Sequence, residues 1–145
     1  MSDLPITIRM REQSEATQST WADLVKALAA SGDLLFEWDL DADAIVWTGN
    51  ATSVIGIEAT LSTRSGDAFL RHIHPEDLPH RMVALNRHLQ SNEPFDCEYR
   101  IRGADGVFRW IRERAVGRIS PTGKPLALSG VIRNITHRKQ SEERV

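Results

Sequence analysis

FDCEYRIRGADGVFRWI, residues 95–111, is the stretch of sequence that decides the fold. Residues 95–102 alternate strictly, with apolar side chains at the odd positions and charged side chains at the even positions. This alternation is typical of a strand with one buried face. Asp105-Gly106 is a strong hairpin-turn signal, and a second strand follows over residues 107–119. Because a tight turn joins antiparallel strands, the stretch predicts an antiparallel hairpin.

Three more segments have strand patterns. Residues 33–40 alternate, and the polar turn DAD at 41–43 separates them from a strand at 44–48, which predicts another hairpin. The turn Pro-Thr-Gly-Lys at 121–124 precedes a last strand at 126–136. The sequence therefore predicts an α+β fold, in which a five-stranded antiparallel sheet has helices on one face.

Helical patterns flank these strands. Residues 13–31 predict an amphipathic helix that stops at Gly32, and its apolar stripe is Trp21, Leu24, Val25 and Leu28. That stripe must be buried on the domain's own sheet or on a second copy. The charged residues 137–145 predict the start of an outgoing helix, and residues 1–12 are expected to be a flexible arm.

His74-Pro75-Glu76-Asp77 predicts the start of a further helix, with Pro75 at its first position and acids in its first turn. The helix is expected to run to about residue 90. Its predicted inner face consists of Leu78, Met82, Leu85 and Leu89.

Composition excludes several classes of protein. The chain has 145 residues, enough for one domain, and a formal net charge of −2. The near balance of 18 basic and 20 acidic residues argues against a nucleic-acid-binding face and against a polybasic membrane anchor. No stretch approaches the ~20 apolar residues of a membrane span, and the first residues lack the apolar core of a secretory signal. Cys97 is the only cysteine, so we expect a reducing, cytoplasmic location.

Three motifs together resemble a PAS domain of the subclass that carries the PAC motif. They are His74-Pro75-x-Asp77, the stretch at 95–111, and GVIRNITHRK at 130–139. Within the second motif, the family pattern is matched at Glu98, Tyr99, Arg100, Asp105, Gly106, Arg109 and Trp110. The resemblance covers about residues 31–139, and the PAS/PAC domain itself is expected at 32–136.

The resemblance implies a sensory module placed ahead of an output domain, often as a dimer. Such outputs are cyclic-di-GMP synthases or phosphodiesterases, or histidine kinases, and the signal leaves through the outgoing helix. The relay residues would be Asn134, Ile135 and Thr136. The family usually has Asp-Ile-Thr here, and its acid helps tie the last strand to that helix. Asparagine keeps the hydrogen-bonding shape without the charge, which puts a salt-bridge relay in doubt.

A small, mostly apolar pocket is expected between the inner face of the sheet and the helix at 75–90. Its predicted lining is Phe36, Trp47, Met82, Leu85, Tyr99, Trp110, Leu128, Gly130 and Ile132. The same residues could equally fill a closed core, because periodicity does not distinguish a lined cavity from a packed one. No particular ligand or cofactor is indicated.

Other candidate sites are better explained structurally. Asp39, Asp41 and Asp43 lack the glycine and the bidentate glutamate of a calcium loop, so we expect solvated turn residues. His80 and His88 are predicted on the outer side and flank of their helix, where neither could reach haem iron.

Two further side chains have ordinary explanations. His74 is expected to shape the turn before its helix, since His72 and His74 have no cluster to complete a metal site. Cys97 lies on a strand, whereas the cysteine of flavin-binding relatives lies on a helix, so a buried core thiol is expected.

No catalytic motif is present, so we expect no enzyme activity. The main alternative to a ligand-binding sensor is a dimerisation module without a ligand, whose interface is the stripe on residues 13–31.

Overall fold

One antiparallel sheet organises the chain, and the computed structural model describes residues 22–58 and 64–143. The strands are β1 (Leu34–Asp39), β2 (Ala44–Thr48), β3 (Phe95–Arg102), β4 (Phe108–Ile119) and β5 (Pro125–Asn134). Their order across the sheet is β2-β1-β5-β4-β3. The predicted five-stranded α+β fold is confirmed.

The inner face of the sheet forms the core. In β3 the buried residues are those that the alternation predicted: Phe95, Cys97, Tyr99 and Ile101. On β5, Leu128 and Ile132 are fully buried, and Gly130 lies between them on the same face. Because β5 lies between β1 and β4, every inward residue of β5 has neighbours on both sides.

The helices are α1 (residues 22–30), α2 (Ala51–Ile55), α3 (Gly66–Leu70), α4 (Leu78–Ser91) and α5 (Thr136–Glu143). Helices α2, α3 and α4 contribute buried side chains to the core, and α4 packs on β3 and β4. Helix α5 leaves directly from the end of β5, as predicted.

Helix α1 ends at the predicted position, where Gly32 has a φ of 100° that suits glycine. Its stripe remains uncovered within the described residues, with Leu24 and Leu28 51% and 42% exposed. Trp21, the predicted arm at 1–12 and the predicted helical residues 13–20 lie outside the described residues.

The predicted start of α4 is wrong by one turn. Pro75 lies in the turn before the helix, which begins at Leu78 with Asp77 in the N-cap position. The Asp77 carboxylate does not cap the helix. It accepts hydrogen bonds from the backbone nitrogen, Nε and a terminal nitrogen of Arg100, at 2.8, 2.9 and 2.8 Å. Asp77 therefore fastens the turn before α4 to β3.

The predicted end of the last strand is also wrong. The strand ends at Asn134, and Thr136 is already the first residue of α5. The Thr136 backbone nitrogen donates to the side-chain oxygen of Asn134 at 2.9 Å, which turns the chain away from the sheet.

One acid of the first hairpin is not merely solvated. Asp39 accepts from the backbone nitrogens of Asp41 and Ala42, which is an ordinary turn role. Asp43, by contrast, accepts from Trp38 Nε1 at 2.8 Å and from the Gly66 nitrogen at 2.9 Å. The expectation of a solvated residue is wrong for Asp43, which fastens the hairpin to the start of α3.

We predict that Asp77→Asn destabilises the chain at pH 7 and that the difference disappears in acid. The side-chain hydrogen bond from Arg100 lowers the pKa of Asp77 below its ordinary 3.8. The contribution of the Asp77 carboxylate to stability is therefore complete above about pH 3.8 and is lost as the pH falls through the lowered pKa. Urea unfolding should show a loss of about 1.5–3 kcal/mol at pH 7, the range for hydrogen bonds to a charged group, and a much smaller loss near pH 2.

Glu76→Gln is the matched control, because Glu76 pairs with the same Arg100 through an exposed side chain. Its loss should stay below about 1 kcal/mol, as for surface ion pairs. Equal losses from Asp77→Asn and Glu76→Gln would contradict the conclusion that Asp77 fastens the turn before α4 to β3.

Candidate functional site

A buried ion pair occupies the interior between α4 and the sheet. Arg81 Nε donates to Glu113 Oε1 at 2.9 Å, and a terminal nitrogen of Arg81 donates to Oε2 at 3.2 Å. The Tyr99 hydroxyl donates to the same Oε1 at 2.7 Å. Arg81 and Glu113 are each only 1% exposed. This triad joins α4, β4 and β3 at one point.

The electrostatics of the triad keep Arg81 charged and the Tyr99 hydroxyl protonated. Burial alone would lower the pKa of Arg81, but the charges and hydrogen bonds of Glu113 and Tyr99 together outweigh burial and raise it, so Arg81 remains charged. Burial, with Glu113 beside it, raises the pKa of Tyr99 well above its usual range, so Tyr99 remains a hydrogen-bond donor. No buried side-chain nitrogen or oxygen among the described residues lacks a hydrogen-bond partner.

Cys97 lies opposite Glu113 in the β3–β4 pairing. Burial, and then the carboxylate, raise the pKa of its thiol to about 11. The thiolate form that a nucleophile or metal ligand needs is therefore disfavoured. Cys97 is a buried core residue, as the sequence predicted.

Aromatic rings surround the charged end of Arg81. Its guanidinium carbon lies 5.9, 5.7 and 5.6 Å from the ring centres of Phe69, Phe95 and Tyr99. These distances are within the range of cation–π attraction. The rings thus supplement the single carboxylate in stabilising the buried charge.

A small cavity adjoins the triad. Its free volume is about 10 Å³, about the space of one water molecule. It is lined by Phe36, Trp38, Ile45, Trp47, Phe69, Arg81, Glu113 and Ile132. The interior in this conformation is nearly filled, and a larger molecule would enter only if these side chains moved.

Several predicted pocket residues do face this interior. Phe36, Trp47 and Ile132 line the cavity, Tyr99 and Leu128 are fully buried, and Leu85 packs against the core. Gly130 also faces inward, but the space beside it is occupied. A Cβ there would lie 2.7 Å from Ala115 Cβ and 2.9 Å from a ring carbon of Phe36, and closer still to the Arg114 carbonyl oxygen. Gly130 therefore allows β5 to pack tightly, and leaves no room for a ligand.

The predicted placement of Met82 in the pocket is wrong. Met82 is 45% exposed, because α4 turns Arg81 and His88 inward. The sequence predicts an inner face of apolar side chains, whereas the largest inward side chain of α4 is the charged Arg81. Met82 therefore occupies an exposed position although it is apolar.

The placement of Trp110 in the pocket is also wrong. Ile111 and Glu113 face inward on β4, so alternation puts Trp110 on the opposite face. There its ring centre lies 5.2 Å from the Arg100 guanidinium carbon and 4.7 Å from Lys139 Nζ. Trp110 belongs to the junction with the outgoing helix.

His88 is buried, which corrects its predicted position on the flank of the helix. Its Nδ1 lies 2.6 Å from the Glu93 carbonyl oxygen, and its Nε2 accepts from the Gly117 nitrogen at 2.8 Å. Through these two contacts His88 fastens α4 to β4 and to the loop that follows α4. His80 lies at the surface as predicted, with Nε2 3.1 Å from the Glu98 carbonyl oxygen.

His74 has the predicted turn-shaping role. Its Nδ1 accepts from the Glu76 nitrogen at 3.1 Å, and its ring centre lies 4.7 Å from that of Phe108.

The outgoing helix is attached to β4 through Trp110. The Trp110 nitrogen donates to Thr136 Oγ1 at 3.0 Å, and the Trp110 oxygen accepts from the Ile135 nitrogen at 2.8 Å. Two of the three predicted relay residues, Ile135 and Thr136, thus contact one residue of the strand that carries Glu113.

Salt bridges support the same junction. Lys139 Nζ lies 2.9 Å from Glu98, and Arg138 pairs with the same carboxylate. The hydrogen bond from Arg138, with Lys139 beside it, lowers the pKa of Glu98 below its ordinary value. The charge that the family places in its Asp-Ile-Thr motif is absent at Asn134, and β3 supplies an acid to the outgoing helix instead.

The incoming and outgoing segments are also tied together. Arg133 Nε and a terminal nitrogen donate to the two oxygens of Asp33, both at 3.0 Å. Asp33 lies three residues after the end of α1, and Arg133 precedes the predicted relay residues. The antiparallel β1–β5 pairing brings these two ends side by side.

Sequence reasoning missed the residues that dominate the interior: Arg81, Glu113, Phe69, Trp38 and Ile45. The alternation of β4 offered one signal, since Ile111 and Ala115 are apolar and Glu113 lies between them with the same parity. A charged residue with the parity of the buried side chains indicates a buried charge that is paired. Nothing in the sequence alone identified Arg81 as its partner.

None of the helices in the described part of the chain has the length and apolar character needed to cross a membrane.

Comparison with known proteins gives a consistent result. The family model described as a PAS fold matches residues 44–132. The sensor protein FixL of Bradyrhizobium diazoefficiens is 32% identical over 107 residues, which are 72% of this chain and 21% of that protein. The probable diguanylate cyclase DgcE of Escherichia coli is 25% identical over 134 residues, which are 92% of this chain and 12% of that protein.

A solved structure has the same architecture. The sensory box histidine kinase/response regulator from Burkholderia thailandensis is similar with a TM-score of 0.70 and 30% identity, over 81% of this chain and 89% of that one. The present chain spans only about a fifth, or less, of the length of the sensor protein and the probable cyclase.

Proposed function

The chain belongs to the PAS family, and from that premise we propose that it is a regulatory input domain that relays a signal to a C-terminal output domain. PAS domains of this kind are sensor modules in signalling proteins linked to histidine kinases and diguanylate cyclases. The proposal is that this domain binds a small ligand, or senses another signal, in its interior. The output is a histidine kinase or a cyclic-di-GMP cyclase or phosphodiesterase, in the cytoplasm.

The observation that carries this proposal is the position of β4. One face of this strand contributes Glu113 to the buried triad, and Trp110 of the same strand holds Ile135 and Thr136 at the start of α5. A shift of β4 therefore changes the interior and the outgoing helix together. In this proposal the domain itself contributes no catalysis, and the raised pKa values of its buried thiol and phenol disfavour their anionic forms.

Ligand binding would require rearrangement of the interior. A free volume of about 10 Å³ admits a ligand only if rings such as Trp47 and Phe69 move. Such a ligand changes the output only if it binds the two arrangements of the domain with different affinity. The rearrangement is thus the event that the outgoing helix reports.

We predict that Thr136→Val weakens the coupling between signal and output. Valine has the shape of threonine but lacks the oxygen that accepts from the Trp110 nitrogen. In the full-length protein, the signal-dependent change in kinase or cyclase activity should fall by about 2- to 12-fold, the range for one net hydrogen bond.

Thr136→Ser is the matched control, because serine retains the hydroxyl and should keep the coupling close to that of the natural protein. Thermal unfolding should show that the Thr136→Val chain still folds. Unchanged coupling in a folded Thr136→Val protein would remove the relay through this hydrogen bond.

A second candidate function, a dimerisation module without a ligand, is favoured by uncovered apolar residues. Leu24 and Leu28 are exposed on α1, and Val46 and Val116 are 66% and 70% exposed on the outer face of the sheet. Both surfaces lack a partner within the described residues, and burying them requires another surface. The partner in this proposal is a second copy of the chain, with the α1 stripe in the interface, and a homodimer is compatible with the sensor proposal as well.

We predict that Leu24→Glu converts the dimer to monomers, because a charge on the stripe would have to be desolvated in the interface. Sedimentation velocity at several concentrations measures this. The control Lys26→Glu also places a carboxylate on α1, at a position outside the stripe, and should leave the dimer intact. A dimer that persists in Leu24→Glu would exclude this helix as the interface.

A further inference from the structure

Helix α2 contacts the core and the outgoing helix through one residue. The Val54 side chain is buried in the core, whereas its backbone carbonyl oxygen points to Asn134. Because α2 has only five residues, its last carbonyl groups have no partner within the helix. The Asn134 side-chain nitrogen donates to the Val54 oxygen at 2.9 Å.

The other end of the Asn134 amide holds α5. Its oxygen accepts from the backbone nitrogen of Thr136, the first residue of that helix, at 2.9 Å. The first nitrogens of a helix also lack internal partners. One amide thus satisfies an acceptor at the end of α2 and a donor at the start of α5.

The orientation of this amide is fixed by its partners. A carbonyl oxygen can only accept and a backbone N–H can only donate, so the nitrogen of Asn134 must face Val54 and the oxygen must face Thr136. Aspartate, the residue usual in the family's Asp-Ile-Thr motif, is ionised and has acceptors only. It could serve Thr136, but it would place a carboxylate against the Val54 carbonyl.

We propose that Asn134 is a positioning residue that couples α2, a wall of the core, directly to the outgoing helix. The proposal rests on the relay proposed above and adds a second route to it, independent of the Trp110–Thr136 bond. A change in the core that displaces Val54 also moves the Asn134 amide, which is bonded to it. The amide in turn shifts the first turn of α5 through its bond to Thr136. Asparagine can serve both partners at once, because its side chain has a donor and an acceptor.

The test is Asn134→Asp, measured by amide hydrogen exchange on the chain described here. The reporters in α2 are the nitrogens of Val54 and Gly56, which bond to Asn50 and Thr52, and the reporter in α5 is that of Lys139, which bonds to Ile135. Exchange in α2 should become about 2- to 12-fold faster. Exchange of Lys139 should stay within about two-fold or slow, since a carboxylate suits a helix N-terminus.

Asn50→Asp is the matched control. Asn50 caps α2 and uses only its oxygen, which accepts from the Ser53 nitrogen at 3.1 Å. The same change of amide to carboxylate should therefore leave the α2 exchange rates within about two-fold. Equal effects of the two variants on α2 would overturn the proposal.

A second comparison distinguishes coupling from a merely structural bond. Val54→Ala loosens α2 from the core side, and with Asn134 in place it should speed exchange of Lys139 at least about two-fold. In the Asn134→Asp background, Val54→Ala should leave Lys139 unchanged. The same effect in both backgrounds would overturn the coupling.

If Asn134→Asp does not fold, the natural chain still tests the bond. The side-chain amide protons of Asn134 should exchange more slowly than those of Asn86, which is exposed as Asn134 is, because the Asn134 nitrogen is bonded to Val54. Equal rates would overturn the proposal. These measurements need neither ligand nor output domain. Their failure would remove only the α2 route, whereas unchanged coupling in Thr136→Val would remove the route through Trp110.

Discussion

The buried ion pair between Arg81 and Glu113 is the constraint on which the arrangement of this domain depends. A charge that is almost fully buried is tolerated only with its partner in place, so α4 and β4 have one relative position in which both charges are satisfied. The Tyr99 hydroxyl adds β3 to the same point. Apolar packing alone would define these positions less sharply, because apolar cores of the same volume can repack in more than one way.

The antiparallel strand order extends this constraint to both ends of the domain. With β5 between β1 and β4, the chain enters beside Leu34 and leaves beside Ile132, which face each other in the sheet. The Asp33–Arg133 pair then joins the two connecting segments. In the relay proposed above, a shift of β4 or β5 would therefore reach both α1 and α5 through these contacts.

Sequence patterns predicted the sheet well and the interior less well, for physical reasons. Alternation in β3 and the turn signals at Asp105-Gly106 and Gly123 depend on local geometry, so they located strands and hairpins correctly. The inner face of α4 was misjudged because its largest buried side chain is Arg81, and burial of a charge depends on a partner 32 residues away. The pocket prediction fails for Trp110 because a large aromatic residue is typical of a core, whereas strand parity places this one on the outer face of the sheet. The roles of Asn134 and Asp43 depend on contacts with distant segments that no local pattern encodes.

The most direct test of this account is the free energy of unfolding in urea of Glu113→Gln. Glutamine keeps the shape but leaves the Arg81 charge without its counter-charge, so the loss should be about 3–5 kcal/mol. The triple variant Arg81→Met, Tyr99→Phe, Glu113→Leu replaces the whole triad with apolar side chains, and it should recover most of that loss while freeing α4 from its fixed position. A loss below about 1 kcal/mol in Glu113→Gln would contradict the central role of the buried pair.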